Sequence, residues 1–209
     1  MTVKRHKAGY HDRNLYQNIA SATKLREMNR NNENINDFIP YKLEDINCDI
    51  PYDISNLDSA IISKLRLMTA EDLQNISEVT EGIENRILSS ANMSYSFETL
   101  VENVKNKRYT TSKIRRMIIS ALIGFTKDIY SPMPQYIRIL GMNKVGMKIL
   151  KQAKDTCKVP IITKTADFKD QSPQFNLDVR ATNIAMLCNP VPTHRIGNAD
   201  LKKSPIIMK

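Results

Sequence analysis

Between Leu57 and about Tyr130, apolar residues return at three- and four-residue intervals, the spacing that gathers side chains on one face of a helix. Ile61, Ile62 and Leu65 make one stripe, and Ile83, Ile87 and Leu88 make another. Thr69 precedes Ala70-Glu-Asp-Leu73 and gives a capped start with an acidic first turn. Ser96 opens a further segment in which Phe97, Leu100, Val101 and Val104 fall at i, i+3, i+4 and i+7. The strongest pattern follows, with Ile114, Met117, Ile118, Ala121, Leu122 and Phe125 keeping a helical period over about three turns. These stripes predict a small helical bundle whose apolar faces form its core.

The period changes on both sides of this zone. Tyr136–Gly141 reads as a strand, Asn143–Asp155 as a helix and Val159–Thr163 as a second strand, a β-α-β arrangement. A last helix is expected over Asn176–Leu187, and the Pro-rich tail from Pro190 is expected to be weakly structured. At the other end, Asn18–Glu27 has a helical pattern with Ser21 as its cap and Ala22, Leu25 and Met28 on one face. The Asn-rich run after it begins a connection over residues 29–56. The expected class is α+β, predominantly helical, in three parts: residues 1–56, a helical part over 57–130, and a small α/β unit with its tail over 131–209. No repeat of 20 to 50 residues is visible.

Composition narrows the function. The 209 residues carry 31 Lys+Arg against 22 Asp+Glu, a formal charge of +9, which favours a polyanionic partner such as RNA, DNA or a nucleotide. With 25% charged residues and 41% hydrophobic residues, neither wholesale disorder nor a membrane protein is expected. The longest apolar stretch, Met117–Phe125, contains Ser120 and Gly124 and is about half the roughly 20 residues a membrane span needs. Cys48, Cys157 and Cys188 are odd in number and far apart, so neither a disulfide framework nor a zinc cluster is indicated. The basic N-terminus lacks the apolar core of a secretory signal, and a cytoplasmic location is expected.

Two places could carry chemistry. Lys105, Lys107, Arg108, Lys113, Arg115 and Arg116 crowd the start of the strongest helix, where the helix dipole already supplies about half a positive charge. Cations there cost stability unless an anion offsets them, and phosphate fits, because free N–H groups, the dipole and Arg forks all favour it. Tyr109 could add base stacking. The alternative is a solvated face of a basic protein. The second place is Ser21, Thr23 and Arg26, a helix start that suits polyphosphate, although Ser and Thr are also ordinary caps. Lys4, Arg5, Tyr10 and His11 precede it, and His11 beside Asp12 reads as either general base or structural residue. No dinucleotide, P-loop, serine-elbow or zincin motif occurs. Glu81 with Glu84, and Glu44 with Asp45, read as surface acids, and no metal site is expected.

Five segments in order, Lys4-Arg5 with Ala8–Asp12, Ile19–Arg26, Glu81–Ile87, Lys107–Arg116 and Tyr136–Gly141, resemble segments of the bacterial tRNA(Met) cytidine acetate ligase family. The resemblance runs from about Lys4 to Asp167. It implies an enzyme that uses ATP, with Mg, to activate acetate as acetyl-adenylate and passes the acetyl group to N4 of the wobble cytidine of elongator tRNA(Met). It also implies a nucleotidyltransferase-like α/β half carrying a His-x-Gly-His motif, and neither is found here. On this basis residues 1–56 are expected to be the remnant of that domain and the chain the C-terminal half of the enzyme, inactive alone, and either a truncated product or half of a split enzyme completed by a separate chain.

By match to the family, Arg5, Ser21, Thr23 and Arg26 are expected to contact ATP, with His6-Lys7 departing from a smaller, more apolar pair. The segment from Lys105 to Arg116 is expected to dock the tRNA, and catalytic residues are not assigned. The alternatives are a catalytically silent RNA-binding module and an adenylating enzyme with another acid or acceptor.

Overall fold

The structure, a computed structural model, describes residues 13–17, 19–39, 53–80, 82–130, 133–169 and 172–208. Contacts divide the chain into two compact units, Met1–Asp53 and Ile54–Lys209.

In the first unit, α1 spans Ala22–Arg30 and begins where Ser21 accepts the Lys24 amide at 3.0 Å. The helix thus starts later than the expected Asn18, since Tyr16 and Ile19 are paired in an antiparallel bridge ahead of the Ser21 cap. Met28 is its buried residue, and Asn36–Phe38 forms a short 3-10 turn.

The second unit is built on five helices that the apolar spacing predicts: α2 (Asp58–Arg66), α3 (Ala70–Gln74), α4 (Ile83–Met93), α5 (Phe97–Val104) and α6 (Thr111–Ile123). Thr69 and Ser96 each close a capping box, with Asp72 and Thr99, and satisfy amides that helix starts leave open. Ile61, Leu65, Ile87, Leu100, Ile114 and Met117 lie in one core at 0–1% exposure, so cutting any of the larger ones to Ala should cost about 2–5 kcal/mol. Gly124 ends α6 at φ +72, and a Cβ there would sit 2.8 Å from the Arg180 guanidinium, which caps the helix by donating to the Ile123 carbonyl at 3.0 Å.

The expected strand over Tyr136–Gly141 is divided between two partners. Ile137–Arg138 (β1) pairs in parallel with Ile161–Ile162 (β3), and Gly141–Met142 (β2) pairs in parallel with Ile206–Ile207 (β4). The β1-α7-β3 order holds, with α7 over Lys144–Thr156. α8 runs Pro173–Met186, beginning earlier than expected because Ser172 caps it and a proline occupies its first turn. The expectation of a weakly structured tail is wrong: a 3-10 turn at Pro192–His194, α9 at Ala199–Lys202 and β4 fold back onto the unit. The tail is held by polar groups rather than by apolar spacing. Arg138 forks onto both Asp200 oxygens at 2.9 Å, Thr182 donates to Asp200 at 2.9 Å, and Arg195 donates to the Asn189 carbonyl at 2.7 Å. Among the described residues no helix is long and apolar enough to cross a membrane.

Candidate functional site

The basic corner forms where α5 hands over to α6. Arg86, on α4, donates to the carbonyls of Val104 (2.8 Å), Asn103 (3.0 Å) and Lys105 (2.9 Å), closing the open end of α5. The Asn106 side chain then accepts the Arg108 and Tyr109 amides at 2.9 and 3.0 Å, turning the chain so that Thr110 can cap α6 at the Lys113 amide. All seven expected residues, Lys105, Lys107, Arg108, Tyr109, Lys113, Arg115 and Arg116, fall on this corner.

Their partners correct the argument made from the helix dipole. The anions that offset the cations are supplied by the protein: Arg115 pairs with Glu98, Arg116 forks onto Glu78 at 2.9 and 3.0 Å, and Lys105 lies 3.4 Å from Glu102. The carboxylate of Glu78 raises the pKa of Arg116 further. An external phosphate is therefore not required to balance the start of α6. Tyr109 is also corrected as a stacking platform. It is 7% exposed, its hydroxyl sits 2.6 Å from Thr80, and Arg108 and Lys113 approach its ring at 5.5 and 5.1 Å. Lys107, Arg108 and Lys113 have no carboxylate within 4.0 Å among the described residues, and they leave the corner with a positive excess.

In the first unit, Ser21 is fully buried and its hydroxyl serves the cap, so it shapes the helix start rather than facing outward. Thr23 is half-buried and Arg26 is exposed one turn further on, an arrangement that fits phosphate oxygens at a helix N-terminus. Arg5, Lys4, Tyr10, His11, Asp12, Glu44, Asp45, Cys48 and Glu81 lie outside the described residues.

Glu84 is not the surface acid expected: it is 3% exposed at the start of α4 and takes a hydrogen bond from Gln74 at 3.1 Å. Its pKa is lowered by backbone N–H groups and by Gln74, against the effect of burial. No group of three or more metal-ligating side chains occurs among the described residues. Sequence reasoning missed Arg86, Glu78 and Glu98, whose contacts with the corner cross 17 to 38 residues of chain.

The family described as HIGH Nucleotidyl Transferase matches residues 1–200, and the chain belongs to that family. It does so without containing a His-x-Gly-His sequence. Among curated relatives, the tRNA(Met) cytidine acetate ligase of Thermosipho africanus is 33% identical over 236 residues, covering 99% of this chain and 56% of that protein. The protein of the same name from Clostridium botulinum (strain Loch Maree / Type A3) is 32% identical over 220 residues, covering 100% and 53%. The apo crystal structure of Thermotoga maritima TmcAL superposes with a TM-score of 0.86 at 28% identity, over 99% of this chain and 55% of that one. The structure of that protein bound with alpha-thio ATP gives a TM-score of 0.80 at 28% identity over 93% and 53%. The chain spans about half the length of the curated relatives it matches.

Proposed function

We propose that this chain is part of an ATP-dependent tRNA(Met) cytidine acetate ligase and supplies its tRNA-docking surface. The observation that carries the reading is the match along the whole chain, in sequence and in fold, to proteins of that name and to TmcAL. In the reaction, an acetate oxygen bonds to the α-phosphorus of ATP and pyrophosphate leaves. The N4 amine of the wobble cytidine of elongator tRNA(Met) then bonds to the acetyl carbon, losing a proton as AMP leaves. The first step needs charge neutralisation along the triphosphate more than a protein nucleophile. By the family resemblance Arg5, Thr23 and Arg26 suit that role, with Ser21 fixing the helix start that carries Thr23 and Arg26, and ATP with Mg and acetate are the co-substrates.

The second step needs the tRNA held, and we assign that role to the basic corner, with Lys107, Arg108 and Lys113 toward its phosphates and Lys105, Arg115 and Arg116 beside them. We assign residues 1–56 to the nucleotide-binding part, 57–130 to tRNA binding and 131–209 to a small supporting α/β unit, in a cytoplasmic enzyme. By the family resemblance a His-x-Gly-His segment takes part in activation, and these 209 residues do not contain that sequence.

The test measures N4-acetylcytidine by mass spectrometry after incubating elongator tRNA(Met), ATP and acetate with the chain alone, and with the chain plus the His-x-Gly-His half of a relative. Product only in the mixture is expected, along with tRNA binding by the chain alone. A mixture that binds tRNA without acetylating it would favour a second reading, RNA binding without catalysis, which the missing motif also suits. Product with another short acid, but not with acetate, would reassign the substrate.

A further inference from the structure

Beside the basic corner, α6 turns Arg115, Arg116 and Ile119 toward a pocket of about 450 Å³, within the roughly 300–1,000 Å³ typical of small-ligand sites. Its floor is mostly apolar, formed by Ile54, Phe97, Ile119 and Phe125 with Ser120 among them, while the more exposed Arg115 and Arg116–Glu78 pair make its mouth charged. An apolar floor gives a phosphate nothing to bind. A charged mouth penalises a purely aliphatic guest, because Arg and Glu would lose water without gaining partners. A flat ring with hydrogen-bonding edges meets both conditions.

Arg115 supplies the platform. Its guanidinium lies 5.2 Å from the centre of the Phe97 ring and pairs with Glu98, and its side chain is 38% exposed, which leaves part of the group accessible to a guest. Bases stack on Arg planes held in this way. Glu78 supplies an acceptor edge. Its carboxylate takes both Arg116 contacts and still has lone pairs for the N–H groups of a base. The residue holds φ +66, an uncommon conformation for Glu, and its neighbours pin it there: the Ser77 amide donates to the Phe125 carbonyl at 2.8 Å, and Ile76 bridges Thr126. Lys113 lies one helical turn before Arg116, and Arg108 shares the Tyr109 ring with it, so cations without carboxylate partners among the described residues stand next to the mouth.

We propose that this pocket receives one unstacked base of a single-stranded RNA segment, stacked on Arg115 and held at its N–H edge by Glu78, with Lys113, Arg108 and Lys107 on the flanking phosphates. The inference rests on the reading that the chain docks tRNA at this corner, and it adds a base-accepting site to it.

The test uses the full chain labelled with 13C at isoleucine methyl groups. It is titrated with elongator tRNA(Met), with a short single-stranded oligoribonucleotide, and with the same oligonucleotide made abasic at single positions. Ring-current shifts at the Ile54 and Ile119 methyls with both RNAs are expected, and they should vanish for one abasic position. Ile119→Trp, which fills the pocket, should weaken RNA binding by about tenfold while leaving its salt dependence unchanged, since no phosphate contact is removed. The methyl readout on the unaltered chain stands even if that variant does not fold. Salt-sensitive binding with both methyls unmoved would overturn the pocket assignment and leave the docking corner intact. No tRNA binding even at about 50 mM salt would overturn the docking reading and the pocket with it. Shifts with an apolar peptide but not with RNA would make the pocket a protein-docking site and reject the base.

Discussion

Arg86 and the Arg138–Asp200 pair show how single side chains set the form of this protein. Arg86 satisfies three carbonyls at the end of α5, and hydrogen bonds from a charged donor are the stronger kind. Arg86→Ala is expected to lower unfolding free energy by about 1–3 kcal/mol in urea titrations. Because Lys105 loses its anchor, the variant should also bind tRNA more weakly than Lys107→Ala does.

At Asp200, burial pushes the carboxyl pKa up, but hydrogen bonds from Arg138 and Thr182 and the charge of Arg138 outweigh it, and the net shift is downward. A carboxylate lowered on folding stabilises fully above its unfolded pKa, near 3.9, and that contribution is lost as pH falls through the lower folded value. Asp200→Asn is therefore expected to melt earlier at neutral pH, having lost about 3 kcal/mol, and the gap to the unaltered protein should narrow below about pH 4. A constant gap across that range would show that the ionised pair does not carry the stability.

Glu98 bears on function rather than stability. Glu98→Gln releases Arg115, and if that cation reaches RNA phosphate, the slope of log affinity against log salt should steepen by up to about one.

At the scale of elements, Thr110 caps α6 and fixes the turn that carries the basic corner. Thr110→Ala is expected to cost about 1 kcal/mol of stability, while Thr110→Ser should retain most of it. Elements of this kind are legible in the sequence. α4, α5 and α6 announce themselves by apolar residues at helical spacing, and Thr69 and Ser96 mark helix starts through short-range hydrogen bonds. The two-residue strands are not legible, since the 137–142 segment changes partner midway and pairs with residues about 24 and 65 positions on. The tail is hidden for a different reason: Arg138, Thr182 and Arg195 hold it, and polar anchors leave no periodicity to read. α7 marks the limit of the apolar signal. Its pattern is strongly amphipathic, yet it has no buried residue, and Val145 and Ile149 are 63% and 59% exposed. The candidate site divides along the same line, with the run of cations read directly but their carboxylate partners, Glu78 and Glu98, visible only once the chain is folded.

For the whole molecule, the question is whether RNA responds to the net charge of +9 or to where that charge sits. A diffuse field steers any polyanion, whereas docking depends on particular cations that can reach phosphate. Arg115 and Arg116 are poor probes, because reversing either sets a like charge against Glu98 or Glu78 and so changes more than a contact to RNA. Lys107, Arg108 and Lys113 are better, having no carboxylate partner among the described residues. Replacing all three by Gln removes three charges from the corner, and replacing the exposed Lys144, Lys148 and Lys151 of α7 by Gln removes three charges elsewhere. If position governs, the corner variant should lose about tenfold or more in affinity for elongator tRNA(Met) near 0.1 M salt and show a shallower salt slope, while the α7 variant stays close to the unaltered chain. If charge alone governs, the two variants weaken equally, and the assignment of tRNA docking to the start of α6 fails even though the protein still binds RNA.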